Sequence, residues 1–249
     1  MRGTIAGIGG IDTYIVIFLT AAVAGVIQTV TGFGAAVFMM LIMPYYFDMV
    51  QAPAITSAIT LGLSVALAWK FRRQIRWNTC LFPSVIYLAF SITSINLAQK
   101  LDLEVLSFSF GVFLILLAIY FTIFSEKIAM KANRKTAAFC AMISGITSGF
   151  FGIGGPLMAI YFISAIKEKE SYIGTIQFLL AFANIMNLFM RIAKGIFTIE
   201  LLPFTLLGIA GITIGKKTGL KILDKIQPGR IKKMVYAFVA ISGVLNLLK

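Results

Sequence analysis

Residues 145–156 read Gly145-Ile146-Thr147-Ser148-Gly149-Phe150-Phe151-Gly152-Ile153-Gly154-Gly155-Pro156, in the middle of an apolar stretch from Thr136 to Ile166. Glycines this dense open the backbone where a helix would otherwise continue. The stretch has an earlier counterpart, Gly25-Val26-Ile27-Gln28-Thr29-Val30-Thr31-Gly32-Phe33-Gly34, inside a run from Tyr14 to Phe47. Gly25, Gly32 and Gly34 recur 120 residues later as Gly145, Gly152 and Gly154. The same offset carries Ala52–Trp69 onto Tyr172–Ile192, Leu81–Ala98 onto Leu201–Thr218, and Val105–Phe124 onto the last apolar run, Ile231–Leu248. Four segments in register mark an internal duplication. The first repeat is 1–124, a basic linker is 125–135, and the second repeat is 136–249.

The solvent for these runs is lipid. Of 249 residues, 59% are hydrophobic and 12% charged, with a mean hydropathy of +0.96. Soluble chains carry about 25% charged residues. The runs are continuous and ~20 residues long, as membrane helices require, and do not alternate as barrel strands do. The fold class is therefore an all-α polytopic membrane protein. The net charge of +13 does not point to nucleic acid, because the basic residues sit in short loops between apolar runs, where they set orientation. The chain has no His and only two Cys, Cys80 and Cys140. That argues against His-ligated metals and His proton relays and offers no disulfide framework. The two thiols read as small apolar side chains. No cofactor is assigned. Ala22-Val23-Ala24 imitates a signal-peptidase site, but cleavage there would remove half of a duplicated unit.

Charge then sets topology. Lys70–Arg76, Lys127–Lys135 and Lys216–Lys233 are basic loops, so the positive-inside rule makes them cytoplasmic. Three apolar units separate the second from the third, an odd number. The parity is repaired if Thr136–Ile166 dips in and returns to the same face. Its arms, ~24 and ~15 Å long at 1.5 Å per residue, suit a hairpin in a ~30 Å hydrocarbon core; one tilted crossing is the competing reading. Each repeat is then a Gly-broken hairpin plus three crossings. Three is odd, so the two repeats are inverted, an arrangement common in transporters. The loops at Asp48, Lys100–Glu104 and Arg191–Glu200 fall outside.

Non-helical backbone at membrane depth belongs where protein or a water-filled cavity lines it. The helix after each break points its N–H groups and positive dipole end inward, as an anion site needs. Gly32, Gly34, Gly152, Gly154 and Gly155 permit close approach and positive φ, while Gly25 and Gly145 read as helix-packing contacts. Gln28, Thr31 and Ser148 stand just before the breaks. Gln177, Asn184 and Arg191 share one helical face, joined by Asn187. Ser57, Thr60 and Ser64 share the face of the related helix, where Ser57 and Ser64 match Gln177 and Asn184. These polar groups line a cavity or bond helix to helix. Arg191 either snorkels to the interface or forms a cationic mouth. The nine acids all lie in loops or at helix ends, which leaves a neutral-to-positive site fit for a small anion.

The half-signatures Gly25-x-x-Gln28-x-x-x-Gly32-x-Gly34 with Pro44, and Ser144-Gly145-x-x-x-Gly149-x-x-Gly152-x-Gly154-Gly155-Pro156, resemble those of the sulfite exporter TauE/SafE family, also called DUF81-type membrane transporters. Ile55-Thr56-Ser57 and Gly174-Thr175 are similar too. The first half departs from the glycine-rich pattern, with Ala35-Ala36 where the second has Gly155-Pro156. The resemblance implies a cell-membrane transporter of sulfite, organosulfonates or other small organic anions, usually outward, with no enzymatic activity. A channel-like pore, or less readily a membrane-embedded enzyme, is the alternative. The partners implied are a small anion and the lipid bilayer, with room for a homodimer.

Overall fold

The computed structural model describes residues 11–124 and 132–225. The described residues form helices α1 (Ile11–Thr31), α2 (Ala35–Met40), α3 (Gln51–Lys70), α4 (Trp77–Ala98), α5 (Leu103–Phe124), α6 (Arg134–Phe151), α7 (Gly155–Ala165), α8 (Lys169–Ala193) and α9 (Leu202–Lys225), with no strand among them. The run Ile231–Leu248 and most of the basic linker lie outside the described residues. Five helices, α1, α3, α4, α8 and the stretch Ile199–Lys225 that contains α9, are long and apolar enough to cross a membrane.

Local chemistry explains the boundaries. Asp48 Oδ1 accepts from the backbone N–H groups of Val50 and Gln51 and starts α3. Asn133 does the same for α6 through Thr136 N–H at 2.8 Å. Such caps satisfy orphan donors at helix starts. The breaks fall where the glycines are. Gly32 (φ +85°) ends α1 and Gly152 (φ +70°) ends α6, a left-handed turn that costs an L-residue roughly 1–2 kcal/mol. The two glycines are related by the 120-residue offset. Gly34 is also left-handed, but its counterpart Gly154 is not, at φ −123°. This corrects the expectation of positive φ at both. Gly154 is required sterically: a Cβ there would collide with the hydroxyl of Tyr87. Gly155 faces the side chain of Phe33 in the same way. After the first break α2 lasts six residues before a 3₁₀ turn at Met43–Tyr45, whose Pro44 has no N–H to offer a helix.

Glycines also fix how the helices pack. Gly25 lies on the Ile212 carbonyl, Gly211 on that of Phe18 and Gly215 on that of Ala22. Gly145 lies on the Tyr87 carbonyl and Gly149 on that of Ser91. Phe18, Ala22 and Thr29 meet Gly211, Gly215 and Gly219 in order, and Tyr87 and Ser91 meet Gly145 and Gly149, so α1 runs parallel to α9, and α6 parallel to α4. These are close approaches of the small-residue kind. They make α1–α9 and α4–α6 the most extensive helix pairs, and α3–α8 the next.

Two ends of the bundle follow. At one, Arg76 pairs with Glu168 at 3.2 Å and Lys169 Nζ donates to the Leu223 carbonyl. At the other, Gln99 donates to the Lys194 carbonyl, and Tyr14 and Phe47 both pack on the ring of Phe204, with centroids 4.8 and 5.3 Å away. Large apolar side chains face outward between the ends, among them Leu81, Val85, Phe108, Phe189 and Leu206. In water these faces would drive aggregation; in a bilayer lipid covers them. Both cysteines are buried, and neither is in a disulfide. The chain is a multi-pass helical membrane protein.

Candidate functional site

The two breaks meet. Gln28, Gly34, Ala36 and Val37 from the first broken unit, and Gly152, Ile153, Gly154, Gly155 and Pro156 from the second, line a single cavity. Thr60 and Ser64 of α3, Tyr87 of α4, and Leu180 and Asn184 of α8 close it. Its volume is about 20 Å³, room for a water or two. The lining holds amides, hydroxyls, backbone and apolar groups, with no charged side chain. α7 begins at this cavity, and the first N–H groups of a helix have no partner within it. The described acids are all exposed, at helix ends or in loops.

A polar network surrounds the cavity, and each member has a local reason to be there. Gln28 Nε2 donates to Ser64 Oγ at 2.9 Å and to Gln177 Oε1 at 3.1 Å. Gln177 Nε2 then donates to the Gly32 carbonyl, and the Tyr172 hydroxyl to the Thr31 carbonyl. Both carbonyls belong to the end of α1, where the helix no longer supplies a donor. Thr31 Oγ1 turns back to the carbonyls of Ile27 and Phe33 and braces the break. Asn184 Nδ2 donates to Thr60 Oγ1 at 3.3 Å. On the other side Ser91 Oγ donates to Asn187 Oδ1, and Asn187 Nδ2 to Ser148 Oγ, which also faces the Tyr87 hydroxyl. Arg191 Nη2 donates to the Gly149 carbonyl at 2.8 Å.

Of the residues singled out from sequence, Gln28, Gly34, Thr60, Ser64, Gly152, Gly154, Gly155 and Asn184 therefore line the cavity. Thr31, Gly32, Ser148 and Gln177 belong to the hydrogen-bonded shell around it. Ser57 is buried on α3 with no partner for its hydroxyl and does not line it. Arg191 is 1% exposed, which removes snorkelling, and lies two turns along α8 from Asn184. Tyr87 was missed. A tyrosine in mid-helix, away from the interfaces where Tyr is usual, was the available signal.

No solved structure matches the chain. It is similar to a protein of Methanocaldococcus jannaschii named "Probable membrane transporter protein", at 24% identity over 253 residues, covering 93% of this chain and 94% of that one. The profile of the family described as "Sulfite exporter TauE/SafE" matches residues 17–245. With that match spanning nearly the whole sequence and both glycine breaks, the chain belongs to the sulfite exporter TauE/SafE family of membrane transporters.

Proposed function

We propose that the chain carries a small anion, sulfite or an organosulfonate being the best fit, through the cavity between the two glycine breaks. One observation carries the reading: both breaks, 120 residues apart in sequence, line one uncharged cavity with hydroxyl and amide donors around it. Backbone N–H groups at the start of α7, the Asn184 amide and the Tyr87 hydroxyl are the donors an oxyanion would use. Gln28 and Gln177 close the α1 side through their mutual hydrogen bond. The described acids are all exposed, at helix ends or in loops, and none lines the cavity.

The architecture we infer is two inverted repeats, each a re-entrant broken hairpin with three crossings. Its support is threefold. Under the 120-residue offset the α1–α9 pair becomes the α6–α4 pair, and α3–α8 maps onto itself. Tyr14 before the first break and Phe47 after it meet the same ring, Phe204. In the second unit, α6 runs parallel to α4 with Gly145 level with Tyr87, so Arg134 starts near the level of Trp77. The other end returns to Glu168, paired with the neighbouring Arg76. Both ends of each broken unit thus come back to one face.

A carrier with an enclosed site and a channel-like pore are the two readings that flux separates. The test is flux of radiolabelled sulfite, thiosulfate and ethanesulfonate in proteoliposomes. Saturation with substrate, and loss of flux in Asn184→Leu with normal insertion, are the expected results. Linear flux would move the reading to a channel; no flux with any of the three would remove the proposal.

A further inference from the structure

Arg191 is the one charged side chain fully enclosed among the described residues. A guanidinium stays protonated in proteins, and a buried charge normally has a carboxylate beside it. Arg191 has none. Eight of the nine acids lie among the described residues and all eight are exposed. The ninth, Glu126, lies outside the described residues. The guanidinium is held by neutral acceptors alone: Nη2 by the Gly149 carbonyl at 2.8 Å and Nη1 by the Val50 carbonyl at 3.4 Å. Its Nε is buried and has no partner. Among the described residues the positive charge is therefore hydrogen-bonded in part and neutralised by no carboxylate.

We propose that Arg191 is a second anion subsite, separate from the central cavity, which takes a small oxyanion on the fork of its guanidinium. The inference rests on the reading of the chain as a small-anion transporter. Asn184 and Arg191 lie on one face of α8 about 10.5 Å apart along the axis, with Asn187 between them. An anion moving from Asn184 toward Arg191 gains charge neutralisation that the cavity cannot supply. The planar fork matches two oxygens of a sulfite or sulfonate head group. To accept them it must release one or both carbonyls. Those carbonyls belong to different helices, Gly149 in the last turn of α6 and Val50 at the start of α3. Anion for carbonyl is an exchange that unties the second broken unit from the first repeat. The site thus couples arrival of the anion to release of the break.

The test compares wild type with Arg191→Gln and Arg191→Lys by sulfite transport kinetics in proteoliposomes, and by the rise in melting temperature that sulfite produces in detergent. A glutamine can still donate to a carbonyl but carries no charge. Arg191→Gln is expected to insert, to raise KM for sulfite about tenfold to a hundredfold, the range for losing a hydrogen bond to a charged group, and to lose the melting shift. Arg191→Lys keeps the charge without the fork and is expected to raise KM by less, roughly several-fold. A wild-type KM and melting shift in Arg191→Gln would make Arg191 a strut between helices and overturn the proposal. If Arg191→Gln does not insert, Arg191→Lys decides, and an unchanged KM overturns it. Wild type with neither flux nor a melting shift for sulfite, thiosulfate and ethanesulfonate would end the transport reading, and this inference with it. Wild-type flux with unaltered variants would end this inference alone.

Discussion

Gly154 and Gly25 are both glycines packed against a neighbour, and they separate two kinds of failure. A side chain at Gly154 meets the Tyr87 hydroxyl inside the cavity, while one at Gly25 meets the Ile212 carbonyl in the α1–α9 seam. A flexible ring can rotate away; a backbone carbonyl cannot. Gly154→Leu is therefore expected to insert normally and to lose transport, because the leucine and the displaced Tyr87 fill the cavity. Gly25→Leu is expected to lower the amount of folded protein, by prying apart the longest helix seam. Measuring folded yield by size-exclusion chromatography beside flux tests both, and normal flux in Gly154→Leu would return that glycine to a packing role. Sequence could not divide these glycines by conformation. The spacing Gly-x-Gly looks the same in both halves, yet Gly34 is left-handed and Gly154 is not. What differs is a neighbour, Tyr87, on a helix more than sixty residues away. The side chains that brace the breaks, Thr31 and Gln177, were visible as polar residues in apolar runs. Whether each would line the cavity or satisfy a carbonyl depended on where α1 ended.

At the scale of elements, the broken units were the most legible part of the chain, because glycine pairs at a fixed offset mark a change in backbone whatever surrounds them. α8 was legible as well, since Gln177, Asn184, Asn187 and Arg191 repeat at helical spacing, and all four are buried. The parallel pairing of α1 with α9 and α6 with α4 was not legible, as apolar runs carry no partner information in their hydropathy. The re-entrant reading of the second unit makes a directional statement. With Cys80 and Cys140 replaced, single cysteines at Lys100 and Ile199 are expected to react with an impermeant maleimide added outside intact cells, and cysteines at Arg73 and Glu168 are not. Arg73 lies three residues before Arg76, which pairs with Glu168, and Gln99 ties the Lys100 loop to Lys194. Labelling at Glu168 without labelling at Arg73 would sink the hairpin and restore a full crossing.

For the whole molecule the argument concerns energy supply. Proton-coupled transporters usually hold a carboxylate or His within the membrane. Here the chain has no His, and the described acids are exposed at helix ends and in loops, so no described carboxylate is in place to carry a proton with the substrate. The positive charge at Arg191 is permanent. An anion leaving the cytoplasm moves toward the positive side of the membrane and gains about 2.3 kcal/mol per charge per 100 mV. A dianion gains roughly twice that, enough to hold a steep outward gradient with no coupling ion. Import of the same anion would need a coupled cation, and the carbonyls at the breaks are the groups that could bind sodium. The expected result is efflux of sulfite from proteoliposomes with sodium absent and pH equal on both sides, driven by voltage set with potassium and valinomycin. Its rate should rise with an outside-positive potential and stay unchanged when a pH gradient is added at constant voltage. Efflux that ignores voltage and requires a sodium or proton gradient would refute uncoupled export, and would direct the search for a coupling site to Gln28, Asn184 and the carbonyls of Thr31 and Gly32.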